Sequence, residues 1–145
     1  MVDALRAVGT QKLSLATGYY RPEWTARSVA CLESAGFEIL WAGDVVEQGI
    51  VANLEEKMAI EKATHWDYPD RIVRAACLDA AARAPESDAV VQIGAGMRPA
   101  LQIAAIEDET GLPLVATDFC LYWAVLKAAG VPARAGSGRL LGTTR

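Results

Sequence analysis

The sequence is poor in the residues that build metal centres and disulfide frameworks. It holds one histidine, His65, and three cysteines, Cys31, Cys77 and Cys120, among 145 residues. No two cysteines form a CxxC pair, and His65 completes no zinc-ligand spacing with them, so no structural metal is expected. Cys31 and Cys77 fall on apolar helical faces, where a thiol serves as a small core hydrophobe. Positive charge is also in short supply: 14 Lys and Arg against 18 Asp and Glu leave a net charge of −4. The cations are scattered rather than gathered into a stripe that would neutralise successive phosphates, which argues against a nucleic-acid partner. No apolar run reaches membrane-spanning length, and the first residues lack a basic segment followed by an apolar signal core. The expectation is a cytoplasmic chain that meets neither membrane nor nucleic acid. What is present, 52% hydrophobic and 22% charged residues, suits one globular domain, 1–145, with a real core.

Four short segments read as strands: "KLSLAT" (12–17), "FEILWAG" (37–43), "AVVQIGA" (89–95) and "LPLVAT" (112–117). The first two partly alternate. The last two are nearly continuous apolar runs, as expected when both faces of a sheet are covered. Helical patterns lie between them. Over 22–35, Trp24, Cys31, Leu32 and Ala35 share one face, and over 69–84, Ile72, Val73, Ala76, Cys77 and Ala80 form a stronger stripe. Pro22, Pro69 and Pro99 suit first-turn positions, and Gly36, Gly111 and Gly130 stand where helices should stop. Strands alternating with helices predict a doubly wound α/β domain: a four-stranded parallel sheet with helices on both faces, in order 2-1-3-4. The 44–68 connection is long, and Asn53 with Glu56 resembles a capping box that opens an extra helix over 54–63, covering part of the strand ends.

The head, 1–9, reads as the last turns of a helix without a preceding strand. The tail, 136–145, carries Leu140 and Leu141, an apolar pair with no evident partner in this domain. Both ends are expected to be remnants that contact something larger; the alternative is ordinary fraying.

In open parallel sheets ligands bind beyond the carboxyl ends of the strands. This singles out "TGYYRP" (17–22), "AGDVVEQG" (42–49), "GAGMRP" (94–99) and "ATDFC" (116–120). Gly94-Ala95-Gly96 is not a dinucleotide fingerprint, because Pro99 stands where a third small residue belongs and the motif follows the third strand. It is not a Walker loop either, since no Lys-Ser or Lys-Thr follows. Two readings stay open: the amides of 94–98 hold a small anion such as a carboxylate with Arg98 adding charge, or the glycines only permit a tight turn and Arg98 is solvated. Of Tyr19 and Tyr20, one phenol can reach the same crevice while the other packs. Asp118, after Thr117, is a helix N-cap or a base. Cys120 stands in that helix's first turn, where the dipole lowers a thiol pKa, or else faces the core.

The ordered segments "LSLATGYYRPEW", "GFEILWAGDVVEQGI", "SDAVVQIGAGMR", "GLPLVATDFCLYWAVLKAAGV" and "GRLL" resemble the second lobe of the aspartate/glutamate racemase superfamily, especially its maleate cis-trans isomerase and arylmalonate decarboxylase branch. The resemblance implies two similar doubly wound lobes with a small dicarboxylate or arylmalonate between them, one catalytic cysteine from each lobe, and no metal or organic cofactor. It gives Tyr19 and the loop Gly94, Ala95, Gly96 and Arg98 to a substrate carboxylate; Thr117 and Asp118, at the end of the fourth strand, join the expected substrate-binding set by their position. It also puts Gly94 at the position of the second-lobe cysteine, so no residue is a certain catalytic one and Cys120 is the only substitute nucleophile on offer. The expected partners are a small carboxylic acid and either a first-lobe polypeptide or a second copy, met through Val2, Leu5, Leu140 and Leu141. Three functions follow: a lobe of an isomerase, decarboxylase or racemase, inactive alone; a non-catalytic carboxylate-binding or regulatory domain derived from one; or an unrelated doubly wound domain.

Overall fold

The computed structural model describes residues 1–18, 21–94 and 96–144. Strands β1 (Lys12–Thr17), β2 (Glu38–Asp44), β3 (Ala89–Ile93) and β4 (Leu114–Ala116) form one parallel sheet in the expected order β2-β1-β3-β4. The helices are α1 (Val2–Ala7), α2 (Pro22–Ser34), α3 (Leu54–Ala63), α4 (Asp70–Arg83), α5 (Ile103–Thr110), α6 (Thr117–Ala129) and α7 (Arg139–Gly142). Successive strand residues point to opposite faces, and every residue of β3 is buried. The centre of the sheet is therefore covered on both sides. Val90, Val91, Leu114 and Val115 have no exposed surface, and burying each such side chain contributes about 1.5–3 kcal/mol.

The predicted α4 stripe is the inner face of the helix: Ile72, Val73, Ala76, Cys77 and Ala80 are all buried, against β1, β2 and β3. Its small residues let the backbone come close. Ser14 Oγ of β1 donates to Ala80 O at 2.5 Å, and Gln48 Nε2 donates to Ala76 O at 2.8 Å. The α2 stripe behaves differently. Only Leu32 is buried; Cys31 is exposed and Trp24 is 41% exposed. Cys31 is thus not a core thiol, because α2 lies along β2, an edge strand of the sheet, whereas Cys77 is one.

Pro22 opens α2 as expected, but Pro69 is the residue before α4, and α5 begins only at Ile103, four residues after Pro99. The capping box forms: Glu56 N donates to Asn53 Oδ1 at 2.9 Å, while Glu56 Oε2 accepts from Ala52 N at 2.8 Å. It starts a helix that is inside out. Lys57 and Glu61 of α3 are buried while Leu54 and Met58 are 46% and 53% exposed.

Leu5, Leu140 and Leu141 are buried within this domain, which corrects the expectation that the terminal leucines lack partners; Val2 is partly buried. A charged residue explains the tail. The buried Glu107 carboxylate of α5 accepts from Leu114 N at 2.9 Å and from Arg139 N at 2.9 and 3.1 Å, tying α5, β4 and α7 together. Trp123 Nε1 donates to Thr143 Oγ1 at 2.8 Å, and Ala133 N to Thr144 Oγ1 at 3.1 Å. Among the described residues, no helix is long and apolar enough to cross a membrane.

Candidate functional site

The parallel sheet brings the ends of β1, β3 and β4 to one edge. Tyr19, Tyr20 and Ala95 lie outside the described residues, so the site is built from Gly18, Gly94, Gly96, Met97, Arg98, Thr117 and Asp118. Gly94 follows β3 with φ +127°, a conformation that side-chain-bearing residues rarely take. Its Cα side faces the backbone of Gly18: a Cβ on Gly94 would lie 3.0 Å from both the Cα and the amide nitrogen of Gly18. The position that the family resemblance gives to a cysteine therefore admits no side chain unless the backbone moves. Gly96 is closed in the same way, since its Cβ would run into the carbonyl oxygen of Trp66.

The loop between them is compact. Met97 is buried, and its amide donates to Gly94 O at 3.1 Å. Tyr68 N, in the 64–69 connection, donates to Gly96 O at 2.9 Å. Among the described residues, no acceptor meets the amides of Gly96 and Arg98. Gln92 Nε2 donates to Gly94 O at 3.0 Å from a fully buried side chain whose Oε1 has no partner among the described residues. Thr117, exposed at the end of β4, donates through its hydroxyl to Gln92 O at 3.1 Å.

Asp118 is not the N-cap. That position belongs to Ala116; Asp118 is the second residue of α6 and accepts from the adjacent Phe119 amide at 3.0 Å. Burial raises its carboxyl above the usual aspartate range, against the opposing pull of backbone amides and of Arg98. Cys120 is buried, and burial pushes its thiol up, against the opposing pull of the amino group of Met1, so the lowering that the first-turn position suggests is absent. Arg98 is half-exposed and already carries a partner. Its Nη2 lies 3.0 Å and its Nε 3.1 Å from Asp67 Oδ1.

Behind this edge lies a buried polar cluster that the sequence reading missed. Lys57 Nζ, with no exposed surface, meets Asp44 Oδ2 at 2.8 Å, and the Tyr68 hydroxyl donates to Glu61 Oε1. Burial and then Glu61 hold that hydroxyl protonated far above its ordinary pKa. The signal in sequence was the i, i+4 pair Lys57–Glu61 on one helix face; nothing marked that face as the inner one. Among the described residues, no group of three His, Cys, Asp or Glu side chains is placed to hold a metal.

Residues 1–141 match the arylmalonate decarboxylase family. The chain is 28% identical over 148 residues to the maleate isomerase of Nocardia farcinica, covering 97% of this chain and 51% of that protein. A structure of the Nocardia farcinica maleate cis-trans isomerase, a cysteine-to-serine mutant with a covalently bound succinylcysteine intermediate, superposes with a TM-score of 0.70 at 28% identity, covering 97% of this chain and 52% of the other. Unliganded arylmalonate decarboxylase gives a TM-score of 0.77 at 24% identity, with 97% and 56% covered. The Pseudomonas putida S16 maleate isomerase, solved with maleate, gives 0.74 at 23% identity, with 98% and 52% covered. The last two bear on the fold alone. The chain spans about half the length of the relatives it matches. By its match over residues 1–141 and its sheet order, this chain belongs to the arylmalonate decarboxylase and maleate isomerase family of the Asp/Glu racemase superfamily.

Proposed function

We propose that this chain is the carboxylate-holding half of a cofactor-independent isomerase or decarboxylase, completed by a first lobe from another polypeptide or from a longer parent chain, and inactive alone. The observation that carries this reading is the glycine loop: among the described residues no acceptor meets the amides of Gly96 and Arg98 at the carboxyl end of β3, beside a cation and in a family whose members handle small acids. Removing a proton or CO2 next to a carboxylate leaves enediolate-like charge, which oriented donors stabilise and a thiol must serve. The loop supplies donors; Tyr19 is the further donor that the family resemblance brings. Position 94 supplies no thiol.

A covering lobe also has something to cover. Trp24 at the start of α2, Leu54 and Met58 of α3, and Trp66 just after it are exposed apolar residues on the elements around the strand ends. They, rather than Leu5, Leu140 and Leu141, are the surface such a lobe would bury. The tight approach of Gly94 to Gly18 equally favours the second reading, a non-catalytic carboxylate-binding domain.

The test is calorimetric titration of the purified chain with maleate, with a turnover assay alongside. Weak binding without isomerisation, racemisation or decarboxylation is expected. Tyr19→Phe should weaken binding by about 1–2 kcal/mol, the cost of a lost hydrogen bond to a charged group. Robust turnover by the unmodified chain overturns the inactive-alone reading, and its loss in Cys120→Ala would make Cys120 the nucleophile. Turnover that appears only on adding a cysteine-bearing first lobe selects the enzyme reading over the binding one.

A further inference from the structure

Arg98 is the charged residue that leaves the glycine loop, and its guanidinium is already engaged. It pairs with Asp67 at 3.0 Å, with both side chains 55% exposed. Its charge also acts on the Asp118 carboxyl, so it stands between an acid of the 64–69 connection and an acid of α6. Lys57, the cation of the cluster behind, is buried against Asp44.

Asp67 is held beside Arg98 by main chain rather than by chance of side-chain rotation. His65 and Trp66 precede it with φ +52° and +65°, a left-handed pair without glycine that only a constrained turn sustains. Tyr68 follows it, with its amide on Gly96 O at 2.9 Å and its hydroxyl on Glu61. Asp67 is thus fixed on both sides to the segment that closes over Gly96. Arg98 and Asp67 together form an exposed ion pair, the kind that costs little to separate and whose carboxylate another carboxylate replaces with like geometry.

We infer that Arg98 selects ligands with a second carboxylate, and that Asp67 is its built-in competitor, displaced when the distal carboxylate of a loop-bound dicarboxylate takes its place. This rests on the carboxylate reading of the loop and adds a specificity-determining pair to it. A monocarboxylate held on the loop amides leaves the Arg98–Asp67 pair intact and gains nothing from Arg98.

The experiment compares succinate with propionate by calorimetric titration of the wild-type chain, Asp67→Asn, Asp67→Ser, Arg98→Gln and Arg98→Lys, with circular dichroism to verify folding. In Asp67→Asn and Asp67→Ser, succinate should bind up to about fivefold tighter, the fold-change of freeing an exposed pair, while propionate is unchanged. Arg98→Gln should erase the preference for succinate, and Arg98→Lys should restore part of it. A succinate-to-propionate ratio unmoved by all four variants, with both acids still bound, overturns this inference and leaves the loop reading standing. If wild type binds neither acid, both fall.

Discussion

Helices α2 and α4 both pack on β2 and carry apolar stripes of the same period, yet α4 buries its stripe and α2 leaves Trp24 and Cys31 of its own exposed. The two cysteines report the difference directly: Cys77 has no exposed surface, and Cys31 is exposed. Periodicity states that a helix has an apolar face. It does not state that anything covers that face, because coverage is decided by position in the sheet: α4 spans β1, β2 and β3, whereas α2 follows an edge strand.

Two measurements test this contrast directly, and two more test how burial acts elsewhere in the molecule. The largest effect should appear in thiol labelling. Burial pushes the Cys77 thiol up to about 12 and hides it, so its reaction needs opening of the core and should be slower than that of Cys31 by about 10^3-fold or more. Mass spectrometry of a partially labelled native sample reads the order, and equal rates would mean that α4 is not packed as described. Truncation comes next. Ile72→Ala in α4 should cost about 3 kcal/mol of unfolding free energy, and Val29→Ala in α2 under about 1 kcal/mol, both measured by urea denaturation; similar costs would erase the distinction between the two helices.

The third measurement moves to the Glu107 anchor. Glu107→Ala leaves the buried amide of Leu114 and the part-buried amide of Arg139 without their acceptor, at a cost of about 2 kcal/mol. Limited proteolysis should then cut within 136–144, whereas an unchanged digestion pattern would show that the tail is held by its leucines alone. The smallest effect is a pH dependence. Burial raises the Asp118 carboxyl in the folded chain above its ordinary value of 3.8. The folded state therefore keeps its proton to higher pH than the unfolded one, and the fold is favoured below that ordinary value. This advantage is lost as pH rises through the raised value. Asp118→Asn should thus gain stability relative to wild type as pH rises, then level off; a difference that shrinks instead would mean that the carboxylate is favoured by its surroundings.

The sequence made some of this legible and not the rest, for reasons that differ by element. Val90, Val91, Leu114 and Val115 form continuous apolar runs, and such runs have one comfortable place, the centre of a covered parallel sheet. Asn53 and Glu56 are three residues apart, and the two bonds they make, Glu56 N to Asn53 Oδ1 and Ala52 N to Glu56 Oε2, are local and readable. Arg98 and Asp67, or Glu107 and Arg139, are about thirty residues apart and leave no period behind. The burial of Lys57 and Glu61 runs against every hydropathy cue, because it depends on Asp44 and Tyr68, which reach them from other segments. For the site, the loop at 94–98 was visible as glycine-rich backbone after a strand, but the occupant of Arg98 and the inward-facing Cys120 were matters of tertiary placement.

The back-to-back approach of Gly94 and Gly18 has a consequence for how this protein can change. With 3.0 Å between a Cβ at 94 and the Gly18 backbone, acceptance of any side chain at one position depends on where the neighbouring loop has already moved. A side chain at 94 calls for a shift of the Gly18 backbone, whereas one at 18 meets the Met97 side chain first. A library that randomises position 94 alone should return few folded clones, and thiol-bearing ones should be recovered only when residues 17–20 vary with it. The route to a cysteine here is a path of at least two steps, with the permissive loop change coming first.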